Sequence, residues 1–87
     1  MNTPRLYHGT PVAFSKRTRK VHPSPCDGET GGYPKGFRIA HATSSIDEAK
    51  MYGAFVYEVM FDEHTQHGYG ETAYISEKGF TIIGRVL

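Results

Sequence analysis

Residues 37–62 read FRIAHATSSIDEAKMYGAFVYEVMFD, and the spacing of apolar residues changes twice within them. Phe37 to Ala42 reads as a short strand. Thr43-Ser44-Ser45 then offers side-chain oxygens that cap a helix, and Asp47 and Glu48 follow Ser44 and Ser45 at the capping-box spacing. These signals predict a helix over Ile46–Tyr52, with Gly53 placed to end it. From Ala54 to Asp62 the period drops to two. Phe55, Tyr57, Val59 and Phe61 fall on one face of that strand, with Val56, Glu58 and Met60 opposite.

The rest of the chain adds strands. Upstream, Arg5-Leu6-Tyr7-His8 reads as a strand closed by Gly9-Thr10-Pro11. Downstream, a polar glycine-bearing stretch (Glu63 to Gly70) leads to a strand at Thr72–Ser76, a turn at Glu77-Lys78-Gly79 and a last strand at Phe80–Leu87. Between the first strand and Phe37 lie a basic run, Lys16 to Lys20, and a long irregular loop over 21–36. That loop holds three prolines and four glycines, and a loop of this length in a small domain points to function or disorder. The expected fold is therefore α+β: a small, twisted, mostly antiparallel sheet with one short helix, in a single domain over 1–87.

Composition narrows the function classes. With 87 residues, 38% of them apolar and 22% charged, the chain reads as one soluble globular domain with a thin core. No apolar run approaches the roughly 20 residues of a membrane span, and MNTPRLYHGT lacks the layout of a secretory signal. One cysteine, Cys26, excludes an internal disulfide and a multi-thiolate zinc site. The expected location is a reducing cytoplasm, with no membrane partner. The net charge of +1 hides a split. Residues 1–26 carry Arg5, Lys16, Arg17, Arg19 and Lys20 and no acid, whereas residues 27–87 carry five basic and nine acidic groups. Such asymmetry points to a phosphate or polyanion near the N-terminal part.

Several side chains suit chemistry. His8 at a strand end, followed by Gly9, sets an imidazole beside main chain that a flat ligand can approach, and Thr10 adds a hydroxyl. His41 precedes the predicted helix N-terminus, where backbone N–H groups favour an anion. Together the two histidines suit a ribose or a phosphate. Tyr52, closing the helix, can stack on an aromatic ring. His64 and His67 have no third ligand assigned, so no metal site is expected. Gly28, Gly31 and Gly32 precede no Lys-Ser/Thr pair, which excludes a Walker-type loop. The clustered basic run, not interleaved with aromatics, gives no sign of sequence-specific nucleic-acid readout.

Four stretches, taken in order, resemble the ADP-ribosyltransferase superfamily. Leu6-Tyr7-His8-Gly9-Thr10 is similar to its first motif, and Ile39 to Gly53 to its second strand and following helix. Phe55-Val56-Tyr57-Glu58-Val59 resembles the next strand, and Tyr74 to Val86 the closing hairpin of the rifampin-type enzymes. The likeness implies an ADP-ribosyltransferase-like domain that transfers ADP-ribose from NAD to an acceptor, as a mono-ADP-ribosyltransferase does. It implies that His8 touches the adenosine-side ribose, that the Gly9 backbone bonds the nicotinamide amide, and that Tyr52 stacks on nicotinamide. The second-motif residue, Tyr in most transferases and His in tRNA 2′-phosphotransferases, falls on His41; a one-residue shift places Ala40 or Ala42 there. Thr10 belongs to the same nucleotide turn, and Arg17, Arg19 and Lys20 are placed to meet the pyrophosphate.

The catalytic acid has more than one candidate. The start of the penultimate strand offers Glu71, with Ala73 one alternate position along, and the loop after the Phe55–Val59 strand offers Asp62 and Glu63. With His8, His41 and Glu71 as the catalytic set, catalysis would be positioning plus one carboxylate facing positive charge on the ribose. The arginines that tRNA 2′-phosphotransferases carry after the second-motif helix are missing, since Ala54 and Phe55 follow Gly53, which argues against RNA 2′-phosphotransfer. The small size, without an acceptor lobe, fits an alternative expectation: a catalytically reduced member of phage or mobile-element type that works by binding a nucleotide or a target protein.

Overall fold

The computed structural model describes residues 3–26, 28 and 33–87. In chain order they form β1 (Leu6–Thr10), β2 (Lys20–Val21), β3 (Ser24–Pro25), β4 (Arg38–Thr43), α1 (Ile46–Tyr52), β5 (Phe55–Val59), β6 (Gln66–His67), β7 (Ala73–Ser76) and β8 (Phe80–Arg85). The strands join in the order β2-β8-β5-β1-β4-β7-β6, every pair antiparallel. β3 lies off this path and takes the Arg38–Ile39 end of β4. The architecture is α+β, a mostly antiparallel sheet with one short helix.

β1 is the central strand, and its alternation builds two cores. Leu6 points into the larger one, with Val59, Phe80, Ala40 and Tyr74, while Tyr7 faces a smaller one with Ala49 and Val56 beneath α1. Val56, placed by alternation on the face it shares with Glu58 and Met60, is therefore fully buried. The helix covers that face, so both sides of β5 are apolar at its centre.

Ser45 caps the helix, its Oγ accepting from the Glu48 amide at 3.3 Å, and Gly53 follows the last turn. Two glycines let the helix lie close to β1. A Cβ on Gly9 would fall inside the Ala49 carbonyl group, and one on Gly53 inside the Thr10 main chain. Because Gly9 has no side chain, β1 does not stop at His8 as its glycine suggested; it continues, pairing Gly9 with Val56 and Thr10 with Phe55.

The irregular loop expected over 21–36 is described only at its flanks, and residues 27 and 29–32 lie outside the described residues. Those flanks are more ordered than their prolines suggested. Val21 pairs with Phe80, Ser24 with Ile39, and the Cys26 amide donates to the Phe37 carbonyl at 2.9 Å. The stretch from Glu63 to Gly70 also contains a short strand, β6, which pairs Gln66 with Ile75.

Candidate functional site

The site arises where the sheet opens. β1 is paired with β5 along its whole length, yet it meets β4 at one register position, Tyr7↔Thr43. Where the next pairs would form, the His8 imidazole takes the place of the ladder: its Nδ1 bonds the His41 carbonyl oxygen at 2.8 Å. A cavity of about 380 Å³ lies in this split. His8 and Gly9 enter it from β1, His41 and Thr43 from β4, and Glu48 and Tyr52 from α1. Tyr33 and Tyr69, from the loops, also line it, their ring centroids 5.0 Å apart. A second cavity of about 340 Å³ shares His8 and His41 as its wall and is otherwise lined by Phe14, Thr18, Lys20, His22 and Ser24 among others. Both volumes fall within the usual range for small-molecule sites, roughly 300–1,000 Å³.

His8 is half-buried, stacked on Phe14 with the ring planes 12° apart. A carbonyl oxygen only accepts, so Nδ1 carries the proton in this bond. Burial holds the imidazole below its ordinary pKa of 6.5, against the opposing pull of the His41 carbonyl. The ring is thus neutral at pH 7, and Nε2 is left as an acceptor suited to a sugar hydroxyl. His41 is also held low, first by burial and then by the nearby His8. Both shifts have one sign. The folded pKa lies below the unfolded one, so this stability is complete above about pH 6.5 and is lost as the pH falls and the unfolded chain takes up protons first. The thermal midpoint is expected to decline between pH 6.5 and about pH 5, with a shallower decline in His8→Asn. Midpoints measured by circular dichroism across that range check this; an unchanged slope in the variant would contradict it.

Glu48 occupies the third helical position, where a capping box would turn its carboxylate back to the Ser45 amide. Here that amide donates to Thr43 Oγ1 at 3.1 Å instead. The Glu48 carboxylate accepts at Oε2 from Thr43 Oγ1 at 2.9 Å and from Thr72 Oγ1 at 2.6 Å. Those hydroxyls, that of Thr72 foremost, hold the carboxyl below its ordinary value. The anion expected at the start of this helix is therefore supplied by the chain itself. Glu48 opposes a bound phosphate there, while Lys20 and His22 stand at the second cavity.

Of the residues singled out from sequence, His8, Gly9, His41 and Tyr52 line the first cavity together. The others stand elsewhere. The Thr10 hydroxyl is spent locally, donating to the Val12 carbonyl at 3.0 Å. Arg17 is exposed, and Arg19 donates to the Lys16 carbonyl at 2.9 Å; neither lines either of these two cavities, whereas Lys20 lines the second. Glu71 is exposed in the segment before β7, outside the cavity lining. Asp62 caps its own turn, accepting from the His64 amide at 2.9 Å, and Glu63 is exposed beside the His64 ring.

Set against known protein families, curated proteins and solved structures, the chain matches none.

Sequence reasoning missed Glu48, Tyr33 and Tyr69 as lining residues. Glu48 did carry a signal, its place one turn before Tyr52, on the helix face that Tyr52 shares. The two tyrosines sit in aperiodic segments that offered none. Chemically, the first cavity joins tyrosine rings, two imidazoles, a threonine hydroxyl and one carboxylate, and the second adds an ammonium and further hydroxyls. Among the described residues no group of three His, Cys, Asp or Glu side chains could hold a metal ion, and no helix is long and apolar enough to cross a membrane.

Proposed function

We propose that the protein binds NAD across the split between β1 and β4 and acts as a mono-ADP-ribosyltransferase-like protein, with NAD as its substrate. The observation that carries the reading is the pair of cavities sharing His8 and His41 as a common wall, opposite in character. NAD has the same polarity: a planar cationic ring at one end, and a pyrophosphate and adenosine at the other. The ring suits the side with Glu48 and Tyr52, and the pyrophosphate suits the side with Lys20 and His22. His8 Nε2 would accept from a ribose hydroxyl between them. The resemblance of four ordered stretches to the ADP-ribosyltransferase superfamily supports the same ligand, and through it the fold of that family.

In transfer, the bond between the nicotinamide nitrogen and ribose C1′ breaks, its electron pair leaving with neutral nicotinamide. The acceptor's nucleophilic atom bonds C1′ and gives up its proton. A small molecule, a protein or a nucleic acid would serve as acceptor.

One observation favours a second reading, NAD binding without transfer: Glu71, Asp62 and Glu63 all lie outside the cavity lining. Incubation with NAD labelled in the adenylate and in the nicotinamide, with and without a cell lysate, separates the two. Release of nicotinamide with label transferred to an acceptor is expected from the first reading. Binding with intact NAD recovered supports the second, and neither binding nor release removes both.

A further inference from the structure

A carboxylate that the capping-box spacing accounts for also faces the first cavity. Glu48 is the one carboxylate among the described residues lining the first cavity. It is held in place, because Thr43 comes from β4 and Thr72 from the segment before β7, and both donate to Oε2. Oε1 makes no bond to a described residue. Tyr33, Tyr52 and Tyr69 line the same space, with Tyr52 and Tyr69 largely exposed at 73% and 67%. Aromatic faces attract a cation that has shed part of its water, and a fixed carboxylate adds direct charge attraction.

The rest of the lining adds apolar surface from Ala42, Ala73 and Ile75 and the ring of His8, which is neutral. Glu48 is then the one formal charge that the described lining sets against a ligand. A planar heteroaromatic cation lies flat on tyrosine faces and brings its charge to that carboxylate.

We infer that Glu48, anchored by Thr43 and Thr72 and set among Tyr33, Tyr52 and Tyr69, makes this cavity select N-substituted pyridinium cations over the neutral form of the same ring. The inference rests on the NAD reading for the choice of a pyridinium ring and for the identity of the larger ligand. It has a consequence for that ligand: the protein distinguishes NAD, whose nicotinamide is cationic, from NADH, whose ring is neutral. Glu48 then reads the charge state of the ring.

The test is an NMR titration of the full chain with four probes: 1-methylnicotinamide, nicotinamide, NAD and NADH. Glu48→Gln is the companion variant, since the amide oxygen still accepts from both threonine hydroxyls. In the wild type each cationic probe is expected to bind about fivefold to tenfold more tightly than its neutral counterpart. Glu48→Gln should bring each pair within about twofold while leaving the thermal midpoint near that of the wild type. Equal affinity of the wild type for NAD and NADH would overturn the inference and leave the NAD reading standing. Selective, Glu48-dependent binding of 1-methylnicotinamide with no binding of either dinucleotide would support the inference and overturn the NAD reading. Should the variant fail to fold, the comparison of cationic and neutral probes in the wild type decides the matter alone.

Discussion

Gly9→Ala is expected to lower the thermal midpoint by about 12–24 °C, the shift that a loss of about 3 kcal/mol produces in a domain of this size. The new Cβ would fall within the Ala49 carbonyl group, which is main chain and cannot rotate aside. The helix would have to lift from β1, uncovering Tyr7, Ala49 and Val56, the whole of the smaller buried cluster. Small domains carry about 5–15 kcal/mol of total stability, so a loss of this size is felt at once. Gly53→Ala meets the Thr10 main chain at the other end of the helix and should act in the same direction. Circular dichroism melts of both variants check this. A Gly9→Ala midpoint within about 3 °C of the wild type would show that the helix does not lie against β1 as described. It also follows that loss of ligand binding in Gly9→Ala would say little about a direct Gly9–ligand contact.

His8 allows those two roles to be separated. His8→Ala removes the bond to the His41 carbonyl and the stacking on Phe14, and is expected to destabilise the fold by about 1–2 kcal/mol. His8→Asn can return an N–H to that carbonyl while lacking the outer nitrogen. Its midpoint is expected to stay near that of the wild type, while NAD affinity falls by about tenfold to a hundredfold because a ribose hydroxyl loses its acceptor. Calorimetric titration with NAD and thermal melts of both variants check the pair. Unchanged NAD affinity in a folded His8→Asn would remove His8 from the ligand contacts.

Much of the fold was legible where local chemistry and tertiary packing agree. The helix over Ile46–Tyr52 is announced by Ser45 and ended by Gly53, and packing on β1 reinforces both signals. Disagreement arose where packing overrides a local rule. Gly9 reads as a strand breaker, yet it extends β1, because what its missing side chain provides is room for a helix. Val56 falls by period on the face of Glu58 and Met60, opposite the aromatic one, yet is fully buried, because a helix distant from β5 only by a short turn folds back over it.

The candidate site divides along the same line. His8 and His41 could be singled out because each reads from sequence as an imidazole on a strand beside a break, and Tyr52 because it closes the helix, although in the fold both histidines lie within their strands. Tyr33 and Tyr69 come from loops without period, and only the tertiary fold carries them to the cavity. Glu48 was hidden by a second plausible role: the capping-box spacing explains a glutamate there, until Thr43 takes the Ser45 amide and releases the carboxylate to the cavity. The charge split of the sequence likewise finds a place. Lys20 and His22, from the basic head, line one cavity, and Glu48, from the acidic body, lines the other.

The central claim is that the split between β1 and β4 is a dinucleotide site, and an NMR titration of the wild-type chain with NAD tests it most directly. The account predicts saturable shifts at His8, His41, Glu48 and Tyr52 on one side and at Lys20 and His22 on the other, moving together with a single dissociation constant. No shifts at millimolar NAD, or shifts confined to residues outside the two cavities, would contradict it.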